Sequence, residues 1–183
     1  VRICDQLGKI WFERGGGGNS FESYTAAWYF ALNHTKLDCW NRGKKGVIIT
    51  LGDEPLNPYL PGRVFNRIFG YEGQDINTVD LYKQVTEKFD VYHIIITDPE
   101  GSGWRYLDRD KESWGKLLDG QHLFAKHSDE LPEVIHDIVT SHDKLVKDHP
   151  YSVIIMTADI TAHGNVFDLR YDYLGSNAGV TMF

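Results

Sequence analysis

The sequence predicts an α/β fold: a mostly parallel sheet with helices on both faces, extended at its end by a strand and a β-hairpin. Three observations carry it. Val47-Ile48-Ile49-Thr50-Leu51 and Val91-Tyr92-His93-Ile94-Ile95-Ile96-Thr97 are short, continuous apolar runs of the kind buried on both faces of a sheet. Segments with apolar residues at helical spacing separate them, and strict strand–helix alternation implies parallel neighbours joined by crossovers. The glycine-rich segment Gly15–Ser20, Asp53 and Asp98 all fall on loops at the carboxyl ends of the strands, where ligands collect in such sheets.

Taken in order, Ser20 is placed to cap the first helix, with Glu22 in a first turn favoured by the helix dipole. Phe21, Tyr24, Trp28, Ala31 and Leu32 recur at helical spacing to about Thr35. Lys36 to Lys45 is polar and closes in the loop Arg42-Gly43-Lys44-Lys45-Gly46. After the first strand, residues 52–75 are rich in proline and glycine and predict a long, ordered loop with one turn near Arg63-Val64-Phe65-Asn66. Thr78 is the expected cap of the next helix, with Val79, Tyr82, Val85 and Phe89 on one face. The second strand ends at Asp98-Pro99. A loop rich in glycine and tryptophan leads to a short helix near Lys111–Leu117, then a third strand over Gln121–Lys126.

Ser128 is the expected cap of a further helix with Asp129 and Glu130 in its first turn and an apolar stripe of Leu131, Val134, Ile135, Ile138 and Leu145. Tyr151–Met156 reads as another buried strand. Phe167, Leu169, Tyr171 and Tyr173 alternate with Asp168, Arg170 and Asp172, the pattern of a half-buried antiparallel strand. The turn Gly175–Gly179 lets Val180–Phe183 return beside it. Residues 1–148 therefore read as one α/β domain, and residues 149–183 as a strand and hairpin joining the same sheet.

The bulk numbers restrict function. The chain has 183 residues, enough for one domain, and at 42% hydrophobic and 13% aromatic it can fill a core. A net charge of -7 argues against a nucleic-acid surface, which needs a basic stripe. Two cysteines, Cys4 and Cys39, form neither a CxxC motif nor a disulfide framework, which points to a reducing, cytoplasmic setting. No apolar run approaches the ~18 residues of a membrane span. The first residues, Val1-Arg2-Ile3-Cys4-Asp5-Gln6, lack both the pattern of a signal peptide and an initiator methionine.

Gly15-Gly16-Gly17-Gly18-Asn19-Ser20-Phe21-Glu22-Ser23-Tyr24, then Asp38-Cys39-Trp40, Gly43-Lys44-Lys45-Gly46 and Leu51-Gly52-Asp53-Glu54-Pro55, resembles a bacterial branch of the von Willebrand factor A-like domains. Leu7-Gly8-Lys9-Ile10-Trp11 fits the helix that precedes the glycine loop in that branch, and the resemblance covers roughly residues 3–147. It implies a Rossmann-like fold and a divalent-metal site built from three loops. Carried over residue by residue, Asn19 or Ser20 matches the second loop and Asp53 the third. The first loop, an Asp-x-Ser-x-Ser at a strand tip, is not where the family puts it. Either the N-terminal strands are absent, or the order is permuted and the tail supplies them. Met156-Thr157-Ala158-Asp159-Ile160-Thr161-Ala162-His163 offers an echo of that motif in Asp159 and Thr161.

The resemblance implies a cation, Mg²⁺ or alternatively Ca²⁺ or Mn²⁺, held by the hard oxygens of Asp53, Asn19 and Ser20. Gly18, Glu22, Asp98, Asp159 and Thr161 are further candidates to line the site. Asp53 at a strand end equally suits a capped turn, and Glu22 a helix start. The expected function is a non-enzymatic domain whose cation bridges to an acidic side chain of a partner protein. A metal-free assembly module with a decayed site is the alternative. A small metal-assisted hydrolase using Asp53 and Asp98 ranks behind both, since no motif supplies a base with a defined partner. The eight histidines show no i,i+4 pairing that would put two imidazoles on one metal, so they read as surface or loop residues. Trp104, Tyr106 and Trp114 form either an aromatic contact surface or a satellite core.

Overall fold

The computed structural model describes residues 22–99, 101–144, 153–157 and 172–173. In chain order the strands are β1 (Gly46–Gly52), β2 (Tyr59–Leu60), β3 (Ile76–Asn77), β4 (Phe89–Ile96), β5 (Leu123–Lys126), β6 (Val153–Thr157) and β7 (Asp172–Tyr173). The helices are α1 (Tyr24–His34), α2 (Asp38–Asn41), α3 (Gly62–Phe69), α4 (Thr78–Thr86), α5 (Ser102–Arg105), α6 (Leu107–Trp114) and α7 (Leu131–Lys144), the last entered through a 3-10 turn at Ser128–Glu130. The main sheet has the order β5-β4-β1-β6-β7. β4 and β6 both run parallel to β1, β5 runs parallel to β4, and β7 pairs antiparallel with β6. The architecture is a mixed α/β sheet flanked by helices, compatible with a Rossmann-like fold.

Register sets where the strands end. Gly52 of β1 pairs with Ile95 of β4, and Leu51 pairs with Thr157 of β6. Three parallel strands therefore finish together at one carboxyl edge. Val47 to Thr50 are all buried, as a strand covered on both sides requires. Alternation sends Ile48, Val91 and Ile95 into one layer with Tyr24, Trp28, Val85 and Trp114 from α1, α4 and α6. It sends Val47, Ile49 and Ile94 to the other, under Val134, Ile135 and Ile138 of α7. No helix among the described residues is long and apolar enough to cross a membrane.

The structure departs from several sequence expectations. The first helix starts at Tyr24 with Ser23 in the cap position, while Ser20 lies outside the described residues. The expected loop over Lys36–Lys45 contains α2, because Leu37 and Cys39 are buried and Asp38 pairs with Arg42 one turn on. Residues 52–75 hold α3 and a β2–β3 ladder rather than a loop with one turn. Phe65 and Phe69 of α3 pack their rings on Tyr29 of α1, and the Gly62 amide donates to Asp75 Oδ1 at 2.7 Å. Such tertiary anchors override the proline and glycine content.

The cap of α4 is Asn77, whose side chain accepts from the Val79 amide at 2.9 Å; the Thr78 hydroxyl donates instead to Asn57 O at 2.5 Å. The buried face is Thr78, Leu81 and Val85, whereas Val79 is 44% exposed and Phe89 opens β4. Two helices, α5 and α6, occupy the region expected to hold one near Lys111–Leu117. β5 starts two residues later than expected, after a turn in which Asp119 Oδ1 accepts from the Gln121 amide. His127, not Ser128, caps the turn into α7, with Glu130 accepting from the His127 amide at 2.9 Å. The tail strand runs Val153–Thr157 and β7 is its antiparallel neighbour; Leu145 and the expected return strand Val180–Phe183 lie outside the described residues.

Gly52 is required by a close approach. A Cβ built there would lie 1.9 Å from the hydroxyl oxygen of fully buried Tyr24. Gly52→Ala is expected to destabilise the protein by about 1–3 kcal/mol through overpacking. Gly120→Ala, with nothing within 4 Å of its added methyl, should stay within about 0.5 kcal/mol. Urea unfolding of the two variants checks the contrast.

Candidate functional site at the carboxyl edge

Asp53 follows β1 directly, at the edge where β1, β4 and β6 end. Its Oδ2 accepts from the Ser102 amide at 3.0 Å, so the carboxylate holds the N-terminal end of α5. The approach is tight. A Cβ on Gly103 would sit 2.1 Å from the Ile96 carbonyl and 3.0 Å from Asp53 Cβ. Only glycine lets α5 lie this close to the end of β4. Held there, α5 turns Trp104 outward at 60% exposure, and Tyr106 beyond it is 46% exposed.

Arg109 on α6 joins this surface to the loop after β1. Its guanidinium lies over the Tyr106 ring, 4.7 Å from the centroid. Arg109 Nη2 donates to Glu54 Oε2 at 3.0 Å, and Nε donates to Asp110 Oδ1 at 2.7 Å. The Asp110 side chain is fully buried, and burial pushes its carboxyl above the usual range against the opposing pull of Arg109. Glu54 and Asp53 add to the upward push. The segment 54–56 is gripped from the same helix: Trp114 Nε1 donates to Glu54 O at 3.1 Å, and the Leu56 amide donates to Ser113 Oγ at 3.1 Å.

Behind the edge lies an aromatic stack with a histidine in it. His93 is fully buried, its ring 3.5 Å from that of Trp114 and 10° from parallel. Tyr24 meets both rings edge-on at 5.0 Å. The Thr50 hydroxyl donates to Tyr92 O at 3.1 Å, so its oxygen accepts from His93 Nδ1 at 2.8 Å. That choice leaves Nε2 as the unprotonated nitrogen, buried without a hydrogen-bond partner. Burial holds the imidazole well below its ordinary range and therefore neutral. Burial also raises the Tyr24 phenol, and the nearby Glu22 carboxylate raises it further.

The expected site residues separate as follows. Asp53 stands at the edge as a helix anchor. Asp98 is at the same edge after β4, but its Oδ1 accepts from the Ser128 amide at 2.8 Å and lies 3.2 Å from His127 Nε2. The Ser128 amide is the main reason its carboxyl is held below the usual range. Asp53 and Asp98 thus serve different turns. Glu22 is half-buried just before α1. Gly18, Asn19, Ser20, Asp159 and Thr161 lie outside the described residues. Trp104, Tyr106 and Trp114 divide: the first two are exposed, and the third is core. Among the described residues no group of three His, Cys, Asp or Glu side chains is arranged to hold a metal ion. Of the expected cation ligands Asp53, Asn19 and Ser20, only Asp53 falls among the described residues. His93, Arg109 and Asp110 were not singled out from sequence. His93 alternates with Val91 and Ile95 and so belongs visibly to a buried face; Arg109 and Asp110 sit in a polar stretch that gives no signal.

No family model, curated protein or solved structure matches the chain.

The buried histidine ties stability to pH. In the unfolded chain His93 takes up a proton near its ordinary pKa of about 6.5, and in the folded protein it does so only at much lower pH. The folded state therefore binds fewer protons, and stability present above about pH 6.5 is lost as pH falls, by up to about 1.4 kcal/mol per pH unit for one proton. His34, lowered by burial, acts in the same sense. Asp110, raised by burial, opposes it in the carboxylate range. The melting temperature is expected to drop between pH 7 and pH 5, and His93→Phe with His34→Leu should flatten that dependence in melts followed by circular dichroism.

Proposed function

We propose that this protein is a binding module that engages a partner protein through its carboxyl-edge face, with Trp104 and Tyr106 as the anchors. The observation that carries the reading is the mounting of α5. A helix pinned by Asp53 and seated through Gly103 holds Trp104 at 60% exposure and leads into Tyr106 at 46%. Large aromatics on a rigid support dominate binding at protein interfaces, because they bury much area and lose little conformational freedom. Arg109, stacked on Tyr106, belongs to the same enriched class. A net charge of -7 favours a basic partner.

The resemblance to von Willebrand factor A-like domains supports the choice of face, since that family works from the same edge. It also motivates a second reading, in which Asp53 with Asn19 and Ser20 binds Mg²⁺ at the interface. One observation favours it. β6 lies parallel beside β1 and its last residue, Thr157, is opposite Leu51. The described strand thus ends at the edge where Asp53 stands, two positions before Asp159 in the sequence.

A photo-crosslinking residue at position 104 should capture a partner that one at exposed Tyr59, on the β2–β3 ladder, does not. Calorimetry with that purified partner is expected to show Trp104→Ala weakening binding about tenfold or more, a loss of about 1.4 kcal/mol, with an unchanged melting temperature. Equal capture from both positions, or undiminished affinity of the variant, would sink the reading. Titration with Mg²⁺ addresses the cation separately: binding heat that disappears in Asp53→Ala is expected, and heat that survives the substitution removes the metal from the proposal.

A further inference from the structure

Among the described residues, the other face of the sheet is covered in part. α7 lays Val134, Ile135 and Ile138 on Val47, Ile49 and Ile94, over β1 and β4. Toward the edge strand β5 the layer thins, and a groove of about 640 Å³ opens between α7 and the outward residues of β4 and β5. That volume lies within the range of about 300–1,000 Å³ that small-molecule sites occupy.

The groove has an aromatic floor and an acidic rim. Tyr92 of β4 and Phe124 of β5 form the floor, and Ile138 closes the helix side. The His122 ring leans on Tyr92 with centroids 4.9 Å apart. Asp90 and Asp137 line opposite walls, one on the strand and one on the helix. The bases here are engaged. Lys126 donates to Glu130 at 2.9 Å, Lys45 reaches Asp90 at 3.7 Å, and His122 Nδ1 lies 2.7 Å from Asp119. The lining itself thus carries two carboxylates, Asp90 and Asp137, the second with His136 Nδ1 3.4 Å from its Oδ1, and one ammonium group, Lys126, already held by Glu130. Burial, with Asp90 and Asp119 nearby, keeps the Tyr92 hydroxyl protonated.

We propose that this groove binds a small amphipathic amine, its apolar body on Tyr92 and Phe124 and its ammonium group at the Asp90–Asp137 rim. An ammonium group near an aromatic face gains from the ring quadrupole, and a carboxylate rim adds charge-assisted hydrogen bonds. An organic anion of the same shape finds only Lys126, already held by Glu130, and meets the two rim carboxylates. The site is on the opposite face from Trp104 and is independent of the partner-binding proposal.

Phenethylamine and 3-phenylpropionate share a ring and differ in charge, so they serve as probes. Ligand-observed saturation-transfer NMR and calorimetry on the full chain are expected to show saturable binding of phenethylamine and binding of 3-phenylpropionate about tenfold weaker or less. Tyr92→Leu and the double variant Asp90→Asn/Asp137→Asn should each weaken phenethylamine about tenfold, while Trp104→Ala leaves it unchanged. The carboxylate variant keeps side-chain size at the rim, so it carries the test if Tyr92→Leu fails to fold. Equal affinity for both probes, undiminished binding in the carboxylate variant, or no saturable binding at millimolar phenethylamine would each overturn the proposal.

Discussion

The carboxyl edge depends on how closely helix α1 approaches the end of β1. Gly52 lacks a Cβ, and the hydroxyl end of Tyr24 occupies that space. From there the Tyr24 ring stands edge-on to His93 of β4 and Trp114 of α6, which lie flat on each other. Two strands and two helices are thereby locked through three rings and one missing methyl group. The lock fixes α6, and α6 in turn grips the Glu54 carbonyl and the Leu56 amide through Trp114 and Ser113. The loop after β1 is held from below, and Asp53 is left facing Ser102. A surface feature, the outward display of Trp104, is thus the last step of a chain of contacts that begins in the core.

The polar atoms inside this region make sense against that background. An unpaired buried nitrogen costs on the order of 1–3 kcal/mol, and His93 Nε2 is one. Burying a large side chain returns a similar amount, about 1.5–3 kcal/mol, and Trp28, Trp114, Tyr24 and Phe89 are all fully buried. The aromatic layer can therefore tolerate a histidine, provided the histidine stays neutral. Asp110 plays a different part. Its pair with Arg109, 41% exposed, adds little stability because solvent screens the guanidinium. What the pair does is orient: Nε held by a buried carboxylate and Nη2 by Glu54 leave the guanidinium plane over Tyr106.

Much of the framework was legible because it is written in periodicity. The apolar runs at Val47–Leu51 and Val91–Thr97 became adjacent parallel strands, and the stripe of Tyr24, Trp28 and Ala31 became the buried face of α1. The errors cluster where a tertiary contact decides local structure. The apolar anchors Phe65 and Phe69 make a helix of a segment whose glycines and prolines argue for a loop. Asn77 outcompetes Thr78 as a cap because the threonine hydroxyl finds Asn57 O across a loop. The candidate site was legible only in its first member. Asp53 could be placed at a strand tip from sequence, but its partner, the Ser102 amide, is 49 residues away. Nothing in a polar run such as Leu107–Trp114 announces that Asp110 turns inward.

The two faces of the sheet end up with different characters, and one strand writes both. On β4, Val91, His93 and Ile95 point into a layer of interlocked rings, while Asp90, Tyr92 and Ile94 point toward the side that α7 packs on. The first layer is dense with edge-to-face and stacked contacts, which have preferred geometries and resist sliding. Among the described residues, the second is aliphatic where α7 covers it and opens into the groove beside β5. Directional packing suits a face that must hold surface aromatics in one arrangement. Non-directional packing with a gap beside it suits a face that admits a small molecule, since filling the groove disturbs no ring contact of the other layer. Because alternate residues of one strand serve the two layers, substitutions at Tyr92 and His93, adjacent in sequence, act on opposite faces of the sheet.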